Sequence, residues 1–150
     1  MKRPYYRIFS LLLVILAIGC GPAGQSFHGT YSASGSTTLT ITGYSSGTGQ
    51  VTGIRRISEG VTSDLIISDS SGQCFLPANL EDDVAAVSPG ASCTQIIDGV
   101  TITMSITTGT ASLSGKVIEL RLAGNVTAVY QGKSYSGTFS ENSTLTRVAK

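Results

Sequence analysis

Apolar and polar residues alternate with a period of two through most of this chain. That is the pattern of pleated strands with one face buried and one face in water. Ile118, Leu120, Leu122, Gly124, Val126, Ala128 and Tyr130 hold one parity, and Glu119 and Arg121 take the other. Because the parity survives Gly124, the stretch predicts one long bent strand rather than a hairpin at Gly124-Asn125. Val100, Ile102, Met104 and Ile106 alternate as regularly with Thr101, Thr103, Ser105 and Thr107. Asp98-Gly99 suits the positive φ angles of a type I′ turn, so residues 93–97 and 100–107 are expected to form a hairpin.

Elsewhere the pattern is weaker. Phe27, Gly29, Tyr31 and Ala33 share a parity that Thr37, Leu39 and Ile41 continue, with Thr38, Thr40 and Thr42 facing the other way. Ser34-Gly35-Ser36 between them is either a tight turn or a glycine kink in one strand. Residues 44–53 read as a turn leading into a weak strand through Val51 and Ile54. A better strand follows over 61–68, then a turn at Asp69-Ser70-Ser71-Gly72 and a return strand that Pro77 stops. Residues 79–92 form the least regular segment, with room for one helical turn around 80–87. Gln131-Gly132-Lys133 turns the chain into a strand over 135–140, and a last strand covers 143–148. No window shows a convincing helical period. The expected fold is all-β, an antiparallel barrel or sandwich of about eight to ten strands.

One internal echo stands out. Phe27-His28-Gly29-Thr30-Tyr31-Ser32 is matched by Tyr135-Ser136-Gly137-Thr138-Phe139-Ser140, and each is followed by Thr-Leu-Thr. Glycine between aromatics on one strand face leaves room for a neighbouring ring. The echo predicts two similar edge or corner strands meeting where the sheet closes; the sharper alternative is a duplicated ligand site.

The front of the chain is different in kind. A basic start with Lys2, Arg3 and Arg7 precedes an apolar run from Ile8 to Ile18. This is the build of a secretory signal peptide, and the run is too short for the ~20 residues of a permanent span. Leu16-Ala17-Ile18-Gly19-Cys20 then resembles the lipobox of bacterial lipoproteins, with Ala17 standing where that family prefers Leu. The resemblance implies a signal peptide over 1–19, a lipidated Cys20 at the mature N-terminus and a membrane anchor. Gly21 is not the Asp that in this family tends to hold a protein in the inner membrane, so the resemblance implies the outer membrane. Residues 20–26 form a small, polar tether, and 27–150 a single β domain. Gly29-Thr30-Tyr31 is faintly similar to the Gly-x-Trp of lipocalin-like barrels, without the tryptophan. The mature part looks like small β-rich envelope lipoproteins, a resemblance that names no activity.

Composition narrows the partners. Lys+Arg is 10 against Asp+Glu 9, and with Lys2, Arg3 and Arg7 in the signal the mature part is slightly acidic. Nothing in it offers a basic face for nucleic acid. Only 13% of residues are charged, so the wet faces must be built from Ser, Thr, Gly and Asn. With Cys20 taken by lipid, Cys74 and Cys93 remain, and an even pair in an exported chain reads as a disulfide. Two sulfurs without a nearby His make a poor metal site, and neither metal nor cofactor is expected.

Catalytic motifs are nearly absent. Gly43-Tyr44-Ser45-Ser46-Gly47 matches the G-x-S-x-G elbow, but no helix follows it and the only His, His28, precedes it. Glu81-Asp82-Asp83 lacks the ligand spacing of a calcium loop. Arg55-Arg56 reads as a small exposed basic pair. Tyr31, Tyr130, Tyr135 and Phe139 could line a carbohydrate or lipid pocket, with core packing as the simpler role. The expectation is a non-catalytic, lipid-anchored envelope module that binds an envelope protein, a glycan or a small apolar molecule. The alternatives are a small envelope hydrolase, a lipocalin-like ligand carrier and a membrane-spanning barrel.

Overall fold

The computed structural model describes Gly24 and residues 26–149. The expected signal peptide over 1–19, Cys20 and most of the expected tether over 20–26 lie outside the described residues. Within them the chain is all-β, with nine antiparallel strands in one sheet. They are β1 Gly29–Ile41, β2 Gly47–Glu59, β3 Leu65–Asp69, β4 Phe75–Glu81, β5 Val84–Val87, β6 Ser92–Ile97, β7 Val100–Ser114, β8 Val117–Tyr130 and β9 Lys133–Arg147. Their order is β5-β4-β3-β2-β1-β9-β8-β7-β6, and β5 also pairs with β7. That last pairing closes the sheet into a ring. β6 continues along the edge of β7 past the end of β5, outside the closed circuit.

The two regular patterns behave as their alternation requires. β8 is unbroken through Gly124, and its inward positions from Ile118 to Val126 are buried. Asp98 and Gly99 take φ 49 and 78, the two positive angles of a I′ turn between β6 and β7. Ser34-Gly35-Ser36 is a bend within one strand. Gly35 and Gly124 mark places where the sheet folds sharply: a Cβ would run into the Asn142 carbonyl at the first and the Ser105 carbonyl at the second. Only glycine admits that approach.

Several weaker readings are corrected. Residues 79–92 hold most of the β4–β5 hairpin, not an irregular loop or helical turn. Pro77 does not stop its strand. It accepts the Ser88 N–H on its carbonyl at 2.8 Å, so its missing donor faces the point where β5 has already ended. β7 runs on to Ser114 because a bulge between Ile106 and Thr108 absorbs Thr107 and returns Gly109, Ala111 and Leu113 to the inside. β9 is one strand, not two. The echo segments do lie on adjacent strands, but they do not meet and neither lies at the seam. Tyr31 pairs with Arg147, Ile41 pairs with Gly137, and the closure is between β5 and β7.

The ring has two unlike halves. In one, β3, β4 and β5 complete the wall, and Tyr31, Ile57, Leu65, Ile67, Leu76, Ile118, Leu120 and Leu145 are fully buried within it. In the other, only β2, β1, β9, β8, β7 and β6 continue. There, among the described residues, β2 has no neighbour before Arg55 on its outer edge, and β6 pairs only with β7 above Cys93. Leu39, Ile41, Ile102 and Met104 line the inside of that open half and are only partly covered. The Cys74–Cys93 disulfide, Cα to Cα 4.7 Å, joins β6 to the start of β4 at the boundary.

Gly24 and residues 26–28 plug the closed end. Phe27 is buried, and the Tyr31 hydroxyl donates to its carbonyl at 2.7 Å. Arg147 donates to the carbonyls of His28 and Ser26 and to the Tyr31 hydroxyl at 2.7, 2.6 and 2.8 Å, and its guanidinium lies 5.1 Å from the Tyr31 ring centre. This clasp ties the first described residues to the last strand.

Candidate functional site

Two features of the open half invite chemistry. The first is a shallow apolar depression of about 340 Å³ at the strand tips, lined by Ile41, Tyr44, Val100, Ala128, Tyr130 and Tyr135. Register explains it. Ile41 is paired with Gly137, Tyr135 with Ala128, and the β8–β9 turn at Gln131-Gly132 brings Tyr130 beside Lys133. Tyr44, on the β1–β2 turn, stands edge-on to Tyr135 with ring centres 5.9 Å apart and planes at 78°. The β6–β7 turn adds exposed Ile96 and Ile97 at the same end. Large apolar side chains left uncovered together at one end of a sheet are a recognised mark of an interaction site.

The second feature lies at the boundary between the halves. Glu141 and Ser143 are the buried polar side chains of the described core, set among apolar neighbours on the inner face of β9. Glu141 accepts from Arg55 at 3.5 Å and from the Ser143 hydroxyl at 3.0 Å. Asp69 is the cross-strand partner of Arg55 and shares its inward register. Burial pushes the Asp69 carboxyl up, but donors from the Ser71 hydroxyl and the Cys74 and Gln73 N–H groups, with the Arg55 charge, outweigh it. They hold the carboxyl below its ordinary value.

Of the four aromatic residues singled out by sequence, the structure brings Tyr130 and Tyr135 together. Phe139 is buried one row pair deeper on the same wall, and Tyr31 is fully buried at the far end beneath Arg147. Cys74 and Cys93 are joined, and Cys20 lies outside the described residues. Arg55-Arg56 is not an exposed pair: Arg55 turns inward to Glu141 and only Arg56 faces solvent. Ser45 sits on the β1–β2 turn and His28 before β1, at opposite ends of that strand. Glu81 ends β4 and Asp82-Asp83 form the exposed β4–β5 turn, and the described residues hold no group of three or more His, Cys, Asp or Glu that could hold a metal.

Tyr44 and Glu141 were missed for different reasons. Tyr44 belongs to a Gly-Ser turn whose position relative to β9 is a long-range fact. Glu141 was within reach: Tyr135, Gly137, Phe139, Glu141, Ser143 and Leu145 keep one parity, and trusting it would have placed the carboxylate inside.

Neither the fold nor these groupings point to a relative, for no family model, curated protein or solved structure matches this chain.

Proposed function

We propose that this protein is a lipid-anchored, non-catalytic module of the bacterial cell envelope, tethered through Cys20, that binds with the apolar open end of its ring. The observation that carries this reading is the polarity of the fold. Gly24, four residues after Cys20, abuts Leu65 and Leu80 at the closed end. The depression around Tyr44, Tyr130 and Tyr135 is at the other end of β1 and β9. Twelve residue steps from Gly29 to Ile41 amount to about 40 Å of extended chain, so an anchor at one end leaves the apolar end clear of it. The outward faces carry mostly Ser and Thr, with pairs such as Thr94–Thr103 and Thr40–Ser46 bonded at 3.1 and 2.8 Å; most apolar residues point inward, and outward ones such as Ile54, Phe75, Ile96 and Val129 are few. A wall facing lipid needs the reverse. The separation of Ser45 from His28 supports the non-catalytic part of the reading.

Two measurements test it. Mass spectrometry of the native protein should find an acylated N-terminal Cys20, and Cys20→Ser should leave the membrane fraction; an unmodified N-terminus elsewhere overturns the anchor. An apolar fluorescent dye should bind the folded protein and lose most of its signal with Tyr44→Ser combined with Tyr135→Ser. Equal signal from the variant overturns the assignment of the open end.

A further inference from the structure

The inner face of the open half is amphipathic along its length, and its two ends differ in charge as well as polarity. At the boundary stand Glu141, Ser143 and Arg55, with Asp69 opposite Arg55 across β2 and β3. Arg55 offers five N–H donors. Among the described residues its side-chain hydrogen bond is the one to Glu141 at 3.5 Å, at 16% exposure. Above this cluster the inward positions of β9, β1 and β7 are Phe139, Leu39, Ile41, Met104 and Ile102, ending at the depression under Tyr44 and Tyr135. From Glu141 to Tyr135 is six residue steps, about 20 Å of strand. An acyl chain spans about half of a ~30 Å bilayer core, roughly 15 Å, so the wall is long enough for one chain with its head at Glu141.

The missing wall between β2 and β6 supplies the way in. The free stretch Gly47-Thr48-Gly49-Gln50-Val51-Thr52-Gly53-Ile54 and the free end of β6, Thr94-Gln95-Ile96-Ile97, carry no charged residue. An apolar chain entering sideways therefore passes no charge until it reaches Arg55.

We propose that the open half binds a single-chain amphiphile, its tail along Phe139, Leu39, Ile41 and Met104 and its head at Glu141, Ser143 and Arg55, with preference for a hydroxylated or cationic head over an anionic one. The preference follows from charge. Glu141 pairs with the Arg55 guanidinium, and the Asp69 carboxylate, held on its turn by Ser71, Gln73 and Cys74, lies in the field of the same charge, so the cluster carries one negative charge in excess. A second anion placed there with little water is repelled. A hydroxyl head accepts from the spare Arg55 donors and donates to Glu141. An ammonium head completes the charge balance.

This rests on the reading of the open end as the binding end, and the experiment separates the two. Calorimetry compares a monoacylglycerol, an alkylamine and a fatty acid of one chain length, each below its micelle concentration, using the full chain bearing Cys20→Ser so that its own lipid does not compete. The monoacylglycerol and alkylamine should bind at least ten-fold tighter than the fatty acid. Glu141→Gln removes one negative charge and should reverse part of that order, the fatty acid gaining several-fold and the alkylamine losing several-fold. Asp69→Asn, at the edge of the cluster, should shift the fatty acid up and the alkylamine down as Glu141→Gln does, by a smaller factor, and keeps the test open if Glu141→Gln fails to fold. A fatty acid that binds best, or an order unchanged in the variants, overturns the amphiphile assignment even when the apolar dye still binds the tyrosine end. If neither dye nor any amphiphile binds, the reading of the open end falls with it.

Discussion

The closed and open halves of the ring share the long strands β1, β2, β7, β8 and β9, with the same alternation, and reach opposite outcomes. β8 buries Ile118, Leu120 and Leu122 completely or nearly so in the closed half, yet leaves Ala128 half-buried and Tyr130 exposed in the open half. β1 buries Tyr31 and Ala33, then leaves Leu39 and Ile41 partly exposed. The strands do not differ in pattern between the halves. They differ in whether β3, β4 and β5 stand opposite. Alternation specifies which side chains face inward, and only the far wall decides whether inward means buried.

The largest effect should therefore come from deletions in the closed half. Leu120→Ala removes a fully buried side chain walled in on every side, and should cost about 3 kcal/mol, within the 2–5 kcal/mol of such truncations. The matched change in the open half, Leu39→Ala, should cost about 1 kcal/mol or less, since the site is already partly wet. Urea titrations of both variants check this, and equal losses would mean the open half is covered in solution.

Next in size is the disulfide, which pins the boundary. Cys74 and Cys93 are separated by 19 residues, and a loop of that size predicts about 3 kcal/mol on the chain-entropy view. Cys74→Ala with Cys93→Ala should lower stability by that order. Because the bridge is what holds the lower end of β6 against β4, amide exchange should rise most in β6 and least in β8.

Much of this architecture was legible beforehand, in proportion to how local its cause is. β8, the β6–β7 hairpin and the Cys74–Cys93 bond announce themselves in parity, in Asp98-Gly99 and in cysteine count. The β4–β5 hairpin did not, because Pro77 reads as a stop until the end of β5 is known, and because Glu81-Asp82-Asp83 hides a two-residue turn in a run of charge. The division of β9 at Glu141 shows the same limit from the other side: polar residues at inward positions look like a break. Such residues are tolerated inside only when a partner such as Arg55 arrives from β2, distant in sequence. The tip depression was half visible, since Tyr130 and Tyr135 flank one turn while Tyr44 joins them from another.

A smaller change should sharpen the picture at the closed end. Tyr31→Phe keeps the ring and removes the hydroxyl that bonds the Phe27 carbonyl and accepts from Arg147, a loss of about 1–2 kcal/mol. Burial raises the Tyr31 pKa above its ordinary value of 10.0, against a partial offset from Arg147. The folded state thus favours the neutral phenol, so stability should be intact below pH 10 and fall as pH rises beyond it. Alkaline melts should lose that slope in Tyr31→Phe, and a variant with the wild-type slope would assign the alkaline loss to another group.

The smallest effect belongs to Asp69, at the boundary on the β3–β4 turn. Its carboxyl is held below the ordinary value by the Ser71, Cys74 and Gln73 donors and the Arg55 charge, acting against burial. A depressed folded pKa means that the unfolded chain takes up its proton first as pH falls. The contribution is therefore complete well above the unfolded value of about 3.9 and drains away as pH drops through the folded value. Asp69→Asn should flatten the acid limb of the stability curve while changing neutral-pH stability by well under the loss seen for Leu120→Ala. The turn should also loosen locally, since Asp69 accepts the Gln73 and Cys74 N–H groups at 3.2 and 3.3 Å. Faster exchange at those two amides, with Leu120 and its neighbours unchanged, would show that the boundary yields before the closed half does.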